Sequence, residues 1–347
     1  MRRGAALVQL TLVRYREFRR EPEAIFWVFV FPILLATGLG IAFRNRPTDI
    51  VTVGVAAGRP GTEGVRAALE ASHALTVEVL DDSAAARGLR IGRLALVAVP
   101  EGPGRVTYRF DDTRPDARNA RFLVDDALQR GAGRRDPVES HEDLVREPGS
   151  RYIDFVLPGL LGLNLLGSGV WGIGFSVVDA RRKRLLKRFL ATPMSKWEYL
   201  ASFVVSRLTL LIIEVTLLLG FGMLIFHVPL RGSVITLALT CLLSALAFGG
   251  LGLLIAARPT TIEGASGIMN VVMMPQWIFS GVFFASNKFP AVAQPFIKAL
   301  PLTAVVDALR GIMLEGVGLV ALMPQLAVIV VWAVISFTVA LLIFRWK

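Results

Sequence analysis

FVLPGLLGLNLLGSGVWGIGFSVV, residues 155–178, runs for 24 residues without a charged side chain. As a helix it would extend about 36 Å, against a bilayer hydrocarbon core of about 30 Å. An amphipathic helix of a soluble domain needs a polar face, and this stretch has none. It reads as a transmembrane span. Working outward, five further runs of similar kind lie at residues 24–43, 200–226, 233–257, 264–285 and 323–344. Six spans are expected.

Composition agrees: of 347 residues 54% are apolar and only 19% charged, which excludes an average soluble globular domain. A net charge of +11 would suit nucleic-acid binding in a soluble chain. Here the basic residues flank apolar runs, where they set orientation instead, so no nucleic-acid partner is expected. Cys241 is the single cysteine and lies inside an apolar run, which excludes an intrachain disulfide framework and a Cys metal cluster. The first run is too long for a signal-peptide core, a basic arm of 23 residues precedes it and no A-x-A site follows, so it reads as a retained span.

Sixteen Lys and Arg fall before the first span, between the second and third, between the fourth and fifth, and after the last. By the positive-inside rule that face is cytoplasmic, with both termini on it. Residues 44–154, the long insert after the first span, carry 17 Arg and 18 acids, a net charge of −1, and fall outside. Alternating and β-branched runs at residues 50–56, 75–80, 94–99 and 105–110 predict strands, with helices near 61–72, 83–92 and 116–131. Residues 44–154 therefore read as an α/β extracytoplasmic domain, ending in a linker over 131–150.

Three segments carry candidate mechanism. In the arm, residues 1–23, Leu7, Val8, Thr11, Leu12, Tyr15 and Phe18 share one helical arc, as an interfacial helix requires. In DARRKRLLKRFLATPMSKWEY, residues 179–199, Leu185, Leu186, Phe189 and Leu190 share one side of a helix, ringed by Arg184, Lys187 and Arg188. Pro193 stops that helix, and Ser195 with Glu198 makes a capping box for the next. An anionic-lipid-binding loop and a protein-docking helix both fit these residues. In residues 287–322, Pro290, Pro295 and Pro301 interrupt an apolar stretch whose helical part, 305–314, places Asp307 and Arg310 at i, i+3. Ten to fourteen apolar residues are too few to cross, so a re-entrant segment is expected.

The order of these parts, with LKRFLATPMSKWEYL (186–200) and LPLTAVVDALRG (300–311), resembles the permease subunit of type-two ATP-binding-cassette exporters, in the branch with an extracytoplasmic α/β domain. The resemblance implies that residues 1–23 are a connecting helix and that 181–191 are the coupling helix docking on an ATPase. It also implies that 290–314, including Pro301, Thr303, Asp307 and Arg310, are a re-entrant hairpin. The fold class so implied is an α-helical integral membrane protein: six transmembrane helices, an inserted α/β domain and a hairpin before the last span.

No G-x-x-x-x-G-K-[ST] occurs, so ATP and Mg are expected in a separate ATPase chain, with no cofactor, metal or catalytic residue in this one. Within the membrane, Glu214 stands out as an ionisable residue at depth, seven positions from Arg207, which snorkelling alone would explain. Asn164, Trp171, Asn270, Gln276 and Trp277 join Glu214 as candidate lining of a substrate path, although interhelical hydrogen bonds and interfacial aromatics account for them equally.

The resulting expectation is a permease in a bacterial cytoplasmic membrane, working with a second copy and a separate ATPase to export an amphipathic compound, drug-like or lipid. Two other classes stay open. A gradient-driven secondary transporter would couple through Glu214, but no internal repeat supports it. A non-transporting sensor or scaffold would use the outer domain as a ligand-binding head.

Overall fold

The computed structural model describes residues 5–43, 50–102, 104–135, 149, 151–183 and 196–343. The chain forms two compact units, Asn45–Val145 and the remainder.

The membrane unit opens with α1 (Ala5–Arg20). Pro22 then takes the first position of α2 (Pro22–Ala42), where its missing N–H costs nothing. α1 packs along α7 (Lys196–Ile225), with Thr11 buried and Arg14 Nε donating to Ser202 Oγ at 3.1 Å. The expected arc is therefore rotated. Thr11, Tyr15 and Phe18 stay on the covered side, Phe18 meeting Phe29 edge to face, while Val8 and Leu12 face outward.

α6 (Tyr152–Arg182) is the central helix: 78% of its apolar stretch is buried, against 17% for α2, so α6 is packed by protein and α2 turns most of its surface outward. Asp154 starts it by accepting from the Arg151 backbone N–H at 3.1 Å and the Arg151 guanidinium at 2.8 Å. A π turn over Ser168–Ile173 then shifts its register. There α6 touches α8 (Val234–Ala256) backbone to backbone: a Cβ on Gly252 would stand 2.6 Å from the Gly169 carbonyl oxygen. α8 packs in turn on α12 (Met323–Ile343). Leu157, Leu161 and Leu166 of α6 join Phe248 of α8 in the core.

Among the described residues five helices, Pro22–Ala42, Tyr152–Arg182, Val205–Ile225, Val234–Ala256 and Met323–Ile343, are long and apolar enough to cross a bilayer. The run expected at 264–285 is not among them. It is helical only as α9 (Ile262–Phe279), diluted by Glu263, Asn270 and Gln276, and Gly281 at φ +78° then turns the chain away. Beyond it lie two short helices, α10 (Gln294–Ala299) and α11 (Pro301–Arg310), broken by the extended Leu300. α11 begins four residues before the expected 305 because Pro301 can open a helix but cannot continue one. It runs on as a π turn, Gly311–Glu315, and ends at Gly316, φ +70°. Leu302, Val305 and Leu309 are fully buried.

The second unit is a four-stranded sheet ordered β2-β1-β3-β4, from β1 (Val51–Ala56), β2 (Leu75–Leu80), β3 (Leu96–Gly102) and β4 (Arg105–Phe110). β1 is parallel to β2 and β3, and β4 antiparallel to β3 with Val97 opposite Arg109. The parallel crossovers pass through α3 (Thr62–Glu70) and α4 (Asp82–Arg90), and α5 (Pro115–Gly131) follows β4. Leu69, Val53, Leu96, Ala120 and Val124 make the larger core, and Ala85, Leu94, Val97 and Val99 make the one under α4. β1, the central parallel strand, has buried residues on both faces, as such strands require.

Candidate functional site

Glu214 on α7 is an ionisable group sealed within a span, 1% exposed. Arg207 lies two turns earlier on the same helix, and its Nη2 donates to Glu214 Oε1 at 2.9 Å and Oε2 at 3.0 Å. Ser168, at the start of the π turn in α6, donates its hydroxyl to Glu214 Oε2 at 3.2 Å. One turn before it on α6, Asn164 Nδ2 donates to the Val28 carbonyl at 3.2 Å, inside the π turn Phe26–Val30 of α2. A π turn leaves backbone carbonyls outside the i→i−4 ladder, which gives such side chains an acceptor. Asn164 and Ser168 thus tie α6 to α2 and to α7. In low dielectric a carboxylate so held is costly to unpair.

Two arginines act as backbone anchors. Arg310 Nη2 donates to the Gly281 carbonyl at 2.5 Å and the Phe155 carbonyl at 3.1 Å, with its guanidinium 3.6 Å above the Phe155 ring. It fastens α11 to α6 and to the turn after α9. Asp307, one turn earlier, does not pair with it, because Arg310 turns inward while Asp307 is exposed. Arg181 closes the end of α8, donating to the Ala256, Ala257 and Pro259 carbonyls at 2.9, 3.1 and 2.6 Å.

The structure holds Asn164 and Glu214 of the expected path in two separate interhelical contacts, made one turn apart along α6, and disperses the others. Trp171 packs on Phe175 at 4.7 Å. Asn270 and Trp277 sit on the outward face of α9, while Gln276 is buried and donates to its own helix at Val272. Thr303 is buried behind the Pro301 turn. Arg181 and Arg182, expected to begin the coupling helix, belong to the end of α6 instead. Arg184, Leu185, Leu186, Lys187, Arg188, Phe189, Leu190, Pro193 and Ser195 lie outside the described residues. Glu198 falls in the first turn of α7, which begins at Lys196. Sequence reasoning missed Ser168, whose signal is a hydroxyl in the glycine-rich run 167–169, where closely approaching helices leave small polar groups opposite a neighbour.

Such an arrangement defines a multi-pass α-helical membrane protein with an ion pair buried among its spans and hydrogen-bonded across two of them. The chain belongs to the ABC-2 family of transporter proteins, which it matches over residues 22–342. It is 31% identical over 175 residues to ABC transporter G family member 20 of Dictyostelium discoideum, covering 50% of this chain and 24% of that protein. Over 215 residues it is 24% identical to the probable multidrug ABC transporter permease YbhR of Escherichia coli (strain K12), covering 61% of this chain and 58% of the relative. The inner membrane transport permease YadH of the same strain is 26% identical over 195 residues, 55% of this chain and 74% of YadH. The chain thus spans less than two thirds of the first two relatives' lengths.

Proposed function

We propose that this chain is the membrane-spanning half of an ATP-driven exporter, pairing with a second permease, a copy of itself, and with separate ATPase subunits that hold ATP and Mg. The cargo is an amphipathic compound, drug-like or lipid, moved out of the cytoplasm. The observation that carries the reading is the family match over residues 22–342, whose bounds take in the Glu214 cluster.

In this reading residues 184–190 dock on the ATPase, with Leu185, Leu186, Phe189 and Leu190 in an apolar contact and Arg184, Lys187 and Arg188 steering an acidic rim. α7 begins at Lys196, directly beyond that segment, and reaches Arg207 about 16 Å along its axis. A push on 184–190 therefore travels up α7 to a cluster also held by α6, which biases the spans between two arrangements. α9, about 27 Å long, serves as a sixth crossing supported by its neighbours, which leaves both termini cytoplasmic and Asn45–Val145 outside a bacterial cytoplasmic membrane. The pairing of Glu214 with Arg207 weighs against a gradient-driven transporter coupled through a free carboxylate.

The test is a mild-detergent purification of the tagged chain from its native membranes. A P-loop ATPase recovered at about one copy per permease, and lost with F189E/L190E, supports the reading. Folded chain recovered alone contradicts it.

A further inference from the structure

The second unit holds a cleft of about 550 Å³ that the transport reading does not use. Its origin is topological. α3 and α5 pack on one face of the sheet, and α4 packs on the other against β1, β2 and β3, which leaves the α4 side of edge strand β4 without a helix over it among the described residues. Arg109 lies on that side, because its partner Val97 belongs to the core under α4. At the end of α4 the chain reverses through Gly92, φ +74°, with the backbone N–H groups of Arg93 and Leu94 both donating to the Gly88 carbonyl. That turn packs Leu94 against Gly88 and sets Arg90 beside β4.

The cleft is lined by Leu89 and Leu94 together with Arg90, Arg109 and Arg114, and by one acid, Asp111. Two of these charged groups are already engaged. Asp111 accepts from the Thr113 backbone N–H at 2.9 Å and hydroxyl at 2.6 Å, and Arg114 pairs with Asp116 at 2.5 Å while leaning on the Gly92 carbonyl. Arg90 and Arg109 are exposed, and neither guanidinium has a hydrogen bond or ion pair among the described residues. Residues 44–154 carry a net charge of −1, so this concentration of positive charge is local to the cleft. Guanidinium forks match carboxylate, sulfonate and phosphate heads, and the half-buried Leu89 beside them, over the fully buried Leu94, suits a short alkyl body. The volume is that of a small-molecule site.

We propose that this cleft binds a small amphipathic anion, with Arg90 and Arg109 holding the head and Leu89 meeting the body. The site is independent of the transport reading, because it needs neither an ATPase nor a stated side of the membrane.

The experiment uses the full chain in zwitterionic lipid nanodiscs, titrated calorimetrically with octanoate against empty nanodiscs. Octanol and inorganic phosphate serve as separate arms for body and head. Saturable binding of one octanoate per chain is expected, at least tenfold weaker in R90E/R109E and unchanged in R118E/R121E, which inverts the same charge on α5. Octanol and phosphate should each bind at least tenfold more weakly than octanoate. Absence of saturable binding above empty nanodiscs overturns the proposal. So do equal losses in the two double variants, or octanol or phosphate alone binding as tightly as octanoate.

Discussion

Arg207 and Glu214, seven residues apart on α7, form an ion pair with both carboxylate oxygens 2.9–3.0 Å from one guanidinium nitrogen, in a part of the helix where Glu214 is all but sealed from the surface. Removing one partner strands the other charge. R207A should therefore lower stability by about 3–5 kcal/mol, whereas R207M/E214L, which removes both charges and keeps the volume, should recover most of the loss. Thermal unfolding in detergent checks this, and equal destabilisation by the single and double variants would refute it.

Gly252 and Gly169 let α8 and α6 meet at their backbones. G252A places a methyl carbon 2.6 Å from a carbonyl oxygen that cannot move without parting the helices, so it should cost at least about 1–3 kcal/mol. Gly167 has open space at its Cβ position, and G167A should be neutral or stabilising by up to about 1 kcal/mol. Comparing the yield and thermal midpoint of the two variants separates helix contact from helix propensity.

Arg310 holds the Gly281 and Phe155 carbonyls from one planar fork while stacking on the Phe155 ring. Lysine keeps the charge but neither the fork nor the stacking. R310K should thus destabilise by about 2 kcal/mol, with faster proteolysis in 280–300, where the anchored turn leads into α10. A proteolysis pattern identical to the parent chain would contradict the anchor.

Much of the architecture was legible in the sequence, and the shortfalls have physical causes. β2 and β4 occupy the residues whose alternation predicts strands, because period-two patterning marks a half-covered sheet directly. α9 fell short because a window of apolar residues does not register that Gly281 ends the helix early. Helical spacing set Asp307 one turn from Arg310, but Arg310 takes backbone carbonyls across the fold and Asp307 stays exposed. The Arg207–Glu214 spacing was visible, whereas Ser168 became evident only once α6 lay beside α7.

Acid should loosen the second unit. Asp81 is held below its ordinary 3.8 by the Ala84 backbone N–H and the Ser83 hydroxyl, and Asp126 by the guanidinium of Arg134. A carboxylate whose folded pKa is depressed adds stability above its unfolded value and loses it as pH falls through the folded one. The unit's thermal midpoint should fall as pH drops below about 4. In D126N that acid limb should be shallower, and an unchanged limb would refute the assignment.

ATP-dependent movement of cargo tests the central claim most directly. Inverted membrane vesicles containing this chain and its co-purified ATPase would be loaded externally with a panel of fluorescent amphipathic dyes, and internal accumulation followed on adding ATP. The account predicts accumulation of at least one dye that requires ATP, persists when the proton gradient is collapsed, and disappears in F189E/L190E. Dye movement that follows an imposed proton gradient without ATP, or no ATP-dependent movement of any dye in vesicles whose ATPase is bound and active, would contradict it.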